Sequence, residues 1–217
     1  MIGTTVQSGD EVALSFREAF TEVGATLTDE AISEIRGRSK TEAIALLVDR
    51  LFPTHEDRVA LSSAVYADFQ ARLQRRYKTE TLPVPGADRA LRWLIDTDIR
   101  VVLTTGLDRG TADQLVSGLG WHTLGLAGVI SGDDVRRGRP TPDLIHAAMN
   151  LVGERDPKAV LAAGDTVADL QAAAAAGVGW SVGVLGGAHA IDRLREHPHS
   201  VLLESISELP RWLGDGS

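Results

Sequence analysis

Asp165 and Asp169 stand four residues apart in Gly164-Asp165-Thr166-Val167-Ala168-Asp169, directly after the apolar run Ala159-Val160-Leu161-Ala162-Ala163. Where a buried strand gives way to a helix, two carboxylates at this spacing form a cup of oxygen ligands for a hard divalent cation. Magnesium suits such a cup, because it keeps some of its water and shares the remaining positions with substrate phosphate. The carboxyl ends of parallel strands are also where open α/β sheets place their ligands. The implied chemistry is on a phosphorus-containing molecule. A plainer reading makes the same pair a helix cap and a solvated first-turn acid.

Three further segments carry groups suited to phosphate. The apolar run Arg100–Leu103 leads into Thr104-Thr105-Gly106, two hydroxyls at a strand terminus, although β-propensity alone also favours threonine there. Arg139 lies in the turn Gly138-Arg139-Pro140 ahead of a helix, where its fork can neutralise phosphate charge. Near the start, Gly3-Thr4-Thr5 suits a tight turn that presents backbone N–H groups to an anion. Asp133 and Asp134 read as loop solvation and capping, and Ser117-Gly118-Leu119-Gly120 lacks the spacing of a dinucleotide loop or a nucleophile elbow.

Composition narrows the class. The 217 residues are 43% hydrophobic and 24% charged, ordinary for a globular protein that holds one large domain or a core with a modest insert. A net charge of −8 argues against sequence-independent nucleic-acid binding. Cysteine is absent, which excludes disulfides and thiolate catalysis. The six histidines (55, 122, 146, 189, 197 and 199) show no zinc-site spacing, and the four tryptophans (93, 121, 180 and 212) are scattered, as packing residues are. No apolar run is long enough to span a bilayer and no secretory leader is recognisable, so a cytoplasmic location is expected.

Those side chains need a scaffold, and the periodicity supplies one. From residue 84 onward helices alternate with short apolar strands: helix 87–95, strand 100–104, helix 110–118, strand 127–130, helix 141–151, strand 159–163, helix 166–176, and strands at 180–184 and 200–203. This alternation implies a Rossmann-like parallel sheet covered by helices. Residues 10–80 contain no strand pattern and read as helices over 11–23, 30–36, 41–51 and 56–76. Leu82-Pro83-Val84-Pro85-Gly86 then punctuates the chain. The expected organisation is an α/β core from residues 1–11 and 82–217, with a helical cap inserted at 12–81.

In this order the motifs resemble the haloacid dehalogenase superfamily, most closely its phosphonatase-like branch, over essentially the whole chain. Met1-Ile2-Gly3-Thr4-Thr5 is similar to the tail of that branch's Asp-Met-x-Gly-Thr-Thr loop. Thr104-Thr105-Gly106, Gly138-Arg139-Pro140 and Gly164-Asp165-Thr166-x-x-Asp169 resemble its second, third and fourth motifs. The resemblance implies hydrolysis through an aspartyl-phosphate. It gives Asp165, Asp169 and the Ile2 carbonyl to Mg2+, and Gly3, Thr4, Thr104, Thr105 and Arg139 to the transferring group, with Thr104 and Arg139 also counted as catalytic. It further implies a small phosphorylated or phosphonate substrate and a possible homodimer.

Two departures shape the expected function. The nucleophilic Asp of the pattern falls immediately before Met1, and the apolar strand that leads into it, normally near mid-sheet, falls there too. Losing a central strand exposes two unpaired edges, a severe liability. Two explanations compete: a start about ten residues upstream, or a truncated pseudoenzyme that retains a phosphate cup. The second departure is Ile2, at the position where phosphatases of this superfamily carry an Asp that protonates the leaving alkoxide. Phosphonatases share that absence and use a cap lysine to form a Schiff base. Gly37-Arg38-Ser39-Lys40 resembles the segment that supplies it, which makes Lys40 a catalytic candidate beside the reading of simple substrate contact. Leu107 and Ala43 replace the aromatic residue and the histidine that phosphonatases carry. Phosphonate cleavage is therefore expected ahead of phosphomonoester hydrolysis, with a non-catalytic binding protein as the third alternative.

Overall fold

Short polar side chains open many of the helices in this computed structural model, which describes residues 1–78 and 81–214. Thr28, Ser39, Asp57 and Asp108 each accept a backbone N–H from the first turn of the helix that follows. The first third of the chain is wholly helical: α1 (Glu11–Glu22), α2 (Asp29–Glu34), α3 (Lys40–Leu51) and α4 (Arg58–Tyr77). In α4, Val65, Phe69, Leu73 and Tyr77 recur every fourth residue and form one buried stripe. That stripe packs with Phe16, Ala19 and Phe20 of α1 and with Ile44, Leu47 and Val48 of α3. The Phe16 and Phe69 rings lie 4.4 Å apart between centroids. Along the same seam Arg72 bridges Glu18, Glu22 and Asp68, while Arg76 pairs with Glu18.

After a bridge between Val6 and Pro83 the chain enters its α/β part: α5 (Ala87–Asp96), β1 (Val102–Thr104), α6 (Arg109–Gly118), β2 (Gly128–Ile130), α7 (Asp143–Val152), β3 (Leu161–Gly164), α8 (Val167–Ala176), β4 (Trp180–Val184), α9 (Ile191–Arg195), β5 (Val201–Leu203) and α10 (Leu209–Gly214). Every strand pair is parallel. β1 pairs β2 with Leu103 opposite Val129, and β4 lies between β3 and β5 with Ala163 opposite Val182 and Gly183 opposite Leu202. Val182 and Val184 share one face of β4 and meet Ala87 and Leu94 of α5, Ile206, and Leu209 of α10. The alanine run of α8 buries Ala172, Ala173 and Ala176, so this helix can lie close against β3 and β4 before Gly177 ends it in a left-handed conformation.

The sheet is in two pieces. Among the described residues β1 and β3 form no ladder with each other, and a cavity of about 480 Å³ lies between them. The expected strand at 100–104 is shortened to Val102–Thr104, matching its three-residue partner β2. Helices α9 and α10 went unread in the sequence because five and six residues are too few to set up a helical period. No helix among the described residues is long and apolar enough to cross a membrane.

Phe69 is 1% exposed and ties α1 to α4. Phe69→Ala is expected to destabilise the protein by about 3–5 kcal/mol, read as a lower midpoint in urea unfolding.

Candidate active site

Strand β3 ends at Gly164, and the backbone turns at Asp165 into α8. Thr166 caps that helix: its hydroxyl accepts the N–H of Asp169, and Asp169 Oδ2 accepts the backbone N–H of Thr166 at 3.0 Å and its hydroxyl. Asp169 therefore completes the capping box of which Thr166 is the cap, as a buried first-turn acid and not the solvated one of the plainer reading. Its other oxygen, Oδ1, takes the Arg139 guanidinium in an ion pair whose side chains are 12% and 11% exposed. Asp165 is buried. Its Oδ1 accepts the Thr4 hydroxyl and its Oδ2 the Ala188 N–H, both at 2.8 Å. Gly3, at φ +81°, lies so close that a Cβ there would overlap the Asp165 carboxylate.

The electrostatics follow from this crowding. Burial raises the Asp165 pKa and the neighbouring Asp169 raises it further, against the Met1 ammonium and the hydrogen bonds from Ala188 and Thr4. Burial acts on Asp169 in the same direction, but Arg139, Thr166 and the Met1 ammonium outweigh it and carry the carboxyl below its ordinary range. The Met1 ammonium is itself lowered, by burial and then by Arg139, and donates to the Thr104 carbonyl at 3.2 Å.

A cavity of about 90 Å³ opens over these groups. Ile2, Thr105, Arg139, Asp165 and Asp169 line it from the α/β side, and Phe16, Arg36, Arg38 and Lys40 from the helical side. Lys40 is set by its loop. Gly37, at φ +81°, packs where a Cβ would strike Thr166, the Lys40 N–H reaches the Gly106 carbonyl at 3.3 Å, and Glu42 accepts the Gly138 N–H at 3.1 Å. The Lys40 ammonium lies 5.8 Å from the centroid of the Phe16 ring. Burial first, then Arg139 and Arg36, push its pKa down to about 8. The Arg139 Nε is buried and has no hydrogen-bond partner among the described residues.

The structure thus brings Ile2, Lys40, Thr105, Arg139, Asp165 and Asp169 to one cavity. Thr104 lies aside, lining the larger cavity between β1 and β3. The Gly3-Thr4-Thr5 turn departs from its expected role. The N–H groups of Thr4, Thr5 and Val6 all donate to the Met1 carbonyl, at 3.2, 2.9 and 3.0 Å, so the turn closes on itself instead of offering them to an anion. Thr4 and Gly3 act through Asp165, one by a hydrogen bond and the other by close approach.

Arg36 and His189 were not singled out in the sequence. Arg36 sits on the rim of a helical segment and had no motif to mark it. His189 is 5% exposed; its N–H donates to the Asp165 carbonyl, and its Nδ1 accepts the Val167 N–H at 3.0 Å. Only the fold brings it to α8, from a loop 24 residues beyond Asp165.

This constellation coincides with a family match. The model of the haloacid dehalogenase-like hydrolases, described as hydrolase, covers residues 2–177. The chain belongs to that family. Among its curated relatives, the phosphonoacetaldehyde hydrolase of Latilactobacillus sakei subsp. sakei is 28% identical, over 97% of this chain and 84% of the relative. A phosphoglycolate phosphatase of Cereibacter sphaeroides is 27% identical, over 97% of this chain and 94% of the relative. Among solved structures, a hydrolase from Pseudomonas syringae superimposes with a TM-score of 0.87 at 22% identity, covering 100% of this chain and 96% of the other. A phosphonoacetaldehyde hydrolase-like protein from Oleispira antarctica gives 0.83 at 20% identity, covering 99% and 92%. The fold is that of these hydrolases, and the chain is a member of an enzyme family with phosphonatase and phosphatase relatives.

Burial lowers the His189 pKa to about 4, with Arg193 and Arg36 adding to the shift. Between an ordinary pKa near 6.5 and this value the unfolded chain binds a proton that the folded one refuses, so stability falls as the pH falls through that window. His189→Asn keeps an acceptor for Val167. It is expected to flatten the loss of unfolding free energy between pH 6.5 and 4 by up to about 1.4 kcal/mol per pH unit, measured by urea titration at a series of pH values.

Proposed function

We propose that the site hydrolyses a small organophosphorus compound with Mg2+ and through an aspartyl-phosphate, and that phosphonates are preferred to phosphate esters. The observation that carries this reading is Lys40, a lysine with a pKa near 8 facing Arg139 across a 90 Å³ cavity, while Ile2 occupies the place of an acid. Ile2 cannot protonate a departing alkoxide, which disfavours ester chemistry. A neutral lysine amine condenses with an aldehyde carbonyl and releases water. The protonated imine accepts the electron pair of the breaking P–C bond and becomes an enamine still bonded to Lys40, which takes a proton and is hydrolysed by water to return the free amine and an aldehyde. The phosphoryl group passes to an aspartate carboxylate, whose place in the family motif is the position before Met1.

For the metal, Asp165, Asp169 and the Ile2 carbonyl offer hard oxygen donors, and no hydrogen bond among the described residues ends on that carbonyl. No group of three or more Asp, Glu or His side chains placed to hold a metal ion occurs among the described residues. Two carboxylates with room for water and phosphate suit Mg2+ better than a cation that needs a full protein cage. Magnesium bound there would neutralise charge on the phosphoryl oxygens. Arg139 and Thr105 line the same cavity and would hold the phosphoryl group by the guanidinium and the hydroxyl, with Lys40 opposite in the loop that borders it.

A phosphomonoesterase is the second reading, favoured by the phosphoglycolate phosphatase relatives and by two departures from the phosphonatase pattern. Leu107 lines the cavity without an aromatic ring, and Ala43 is buried in the helical core.

Imine formation needs no nucleophilic aspartate, so it separates the two readings. Phosphonoacetaldehyde with borohydride is expected to leave one reduced adduct on Lys40 by intact mass, half-maximal near pH 8 and lost in Lys40→Ala. No adduct at any pH would reject the phosphonatase reading.

A further inference from the structure

Arg36 lines the cup, yet the chemistry proposed above gives it no part. It follows α2 directly: Ile35 ends that helix, the Arg36 N–H donates to the Ser33 carbonyl at 3.4 Å, and Gly37 turns the chain. A Cβ on Gly37 would strike the Thr166 hydroxyl, so this turn rests on the start of α8, beside Asp165. Ile32 and Ile35, both buried, line the cavity on either side of the turn that leads to Arg36. The half-buried guanidinium is felt on two different elements, where it helps to lower the pKa of Lys40 and of His189.

The acids around Arg36 are engaged elsewhere. On α2, Asp29 pairs with Arg17 and Glu34 with Arg50, and in the cup Asp169 pairs with Arg139. Among the described residues the Arg36 side chain makes no hydrogen bond or ion pair. Arg38 is placed differently: its carbonyl faces Gly106, where a Cβ would come within 2.8 Å of it.

The balance of charge is therefore uneven across the cavity. From the helical side Arg36, Arg38 and Lys40 face it, and of the two carboxylates opposite only Asp165 lacks an ion-pair partner. A phosphonate dianion and a divalent cation offset each other at Asp165 and leave that surplus in place. A second anion on the same substrate removes it. The planar guanidinium fork suits a carboxylate, which it can take by two parallel hydrogen bonds. Apolar neighbours such as Ile32 and Ile35 strengthen such a pair by keeping water from it. At about 90 Å³ the cavity is far below the roughly 300–1,000 Å³ of a drug-sized ligand's site, so the carbon chain between the two anions is short.

We propose that Arg36 is a specificity-determining residue that binds a carboxylate on the carbon part of the substrate, so that the site takes short phosphonates carrying an acid group. The inference rests on the phosphoryl site proposed above, and the choice of Arg36 rests on its place in the cavity and its unpaired charge.

Two unreactive phosphonates test it. 3-Phosphonopropionate carries the carboxylate, and propylphosphonate has a methyl group in its place. Calorimetric titration with Mg2+ present, at about 150 mM salt to screen exposed charges, is expected to give at least tenfold tighter binding of 3-phosphonopropionate. Arg36→Gln is expected to erase that preference with Tm retained, and Arg36→Lys, which keeps the charge but not the fork, to restore part of it. Equal binding of the two compounds to the unmodified protein would overturn the proposal while upholding the phosphoryl site. A preference that survives Arg36→Gln would assign the carboxylate to Lys40 or Arg38 and overturn it too. Binding of neither compound would overturn the phosphoryl site and this inference with it.

Discussion

Two carboxylates buried at one strand–helix junction repel each other and have lost much of their water, and the rest of the site is organised around relieving that cost. Asp169 is relieved outright by Arg139 and by the helix cap it forms with Thr166. Among the described residues Asp165 receives two neutral hydrogen bonds, from Thr4 and Ala188, and its pKa stays raised. One carboxylate is satisfied within the protein, and the other keeps its appetite for a cation. A buried pair this unevenly treated is poorly suited to stabilising a fold, which is why it reads as a binding device.

The helical segment of α1–α4 contributes the opposite sign. It brings Lys40, Arg36 and Arg38 over the carboxylates on the underside of a loop whose seat depends on the small residues Gly37, Gly106 and Gly138. Phe16 belongs at once to the packed core of α1 and α4 and to the wall beside Lys40. The packing that stabilises these helices therefore also contributes to desolvating the lysine, and a fold-level property (where α1 docks) bears on a chemical one (the basicity of an amine).

Much of this was legible in the sequence because it was periodic or local. The fourfold stripe of α4, the alternation from residue 84 onward and the Gly177 stop all act within a few residues, and the helices and strands fall close to where they were expected. The Asp165–Asp169 pair, Arg139 and Lys40 were marked by motif. What escaped depends on distant partners. His189 has no local signature, and it reaches Val167 and Asp165 only after β4 and its loop are in place. Thr104 and Thr105 are adjacent in the chain, yet strand alternation sends them to different cavities, and no reading of two identical residues separates them. The Gly3–Thr5 turn looked open to an anion because its composition does not reveal that three N–H groups converge on the Met1 carbonyl.

The central proposal is that Asp165, with Asp169 beside it, binds one hard cation. Calorimetric titration with Mg2+ at neutral pH, in the presence of inorganic phosphate, addresses it most directly. The account predicts a single binding event in the unmodified protein that weakens at least tenfold in Asp165→Asn while the fold, followed by Tm, is retained. Equal Mg2+ affinity in Asp165→Asn, or no Mg2+ binding to the unmodified protein, would contradict it.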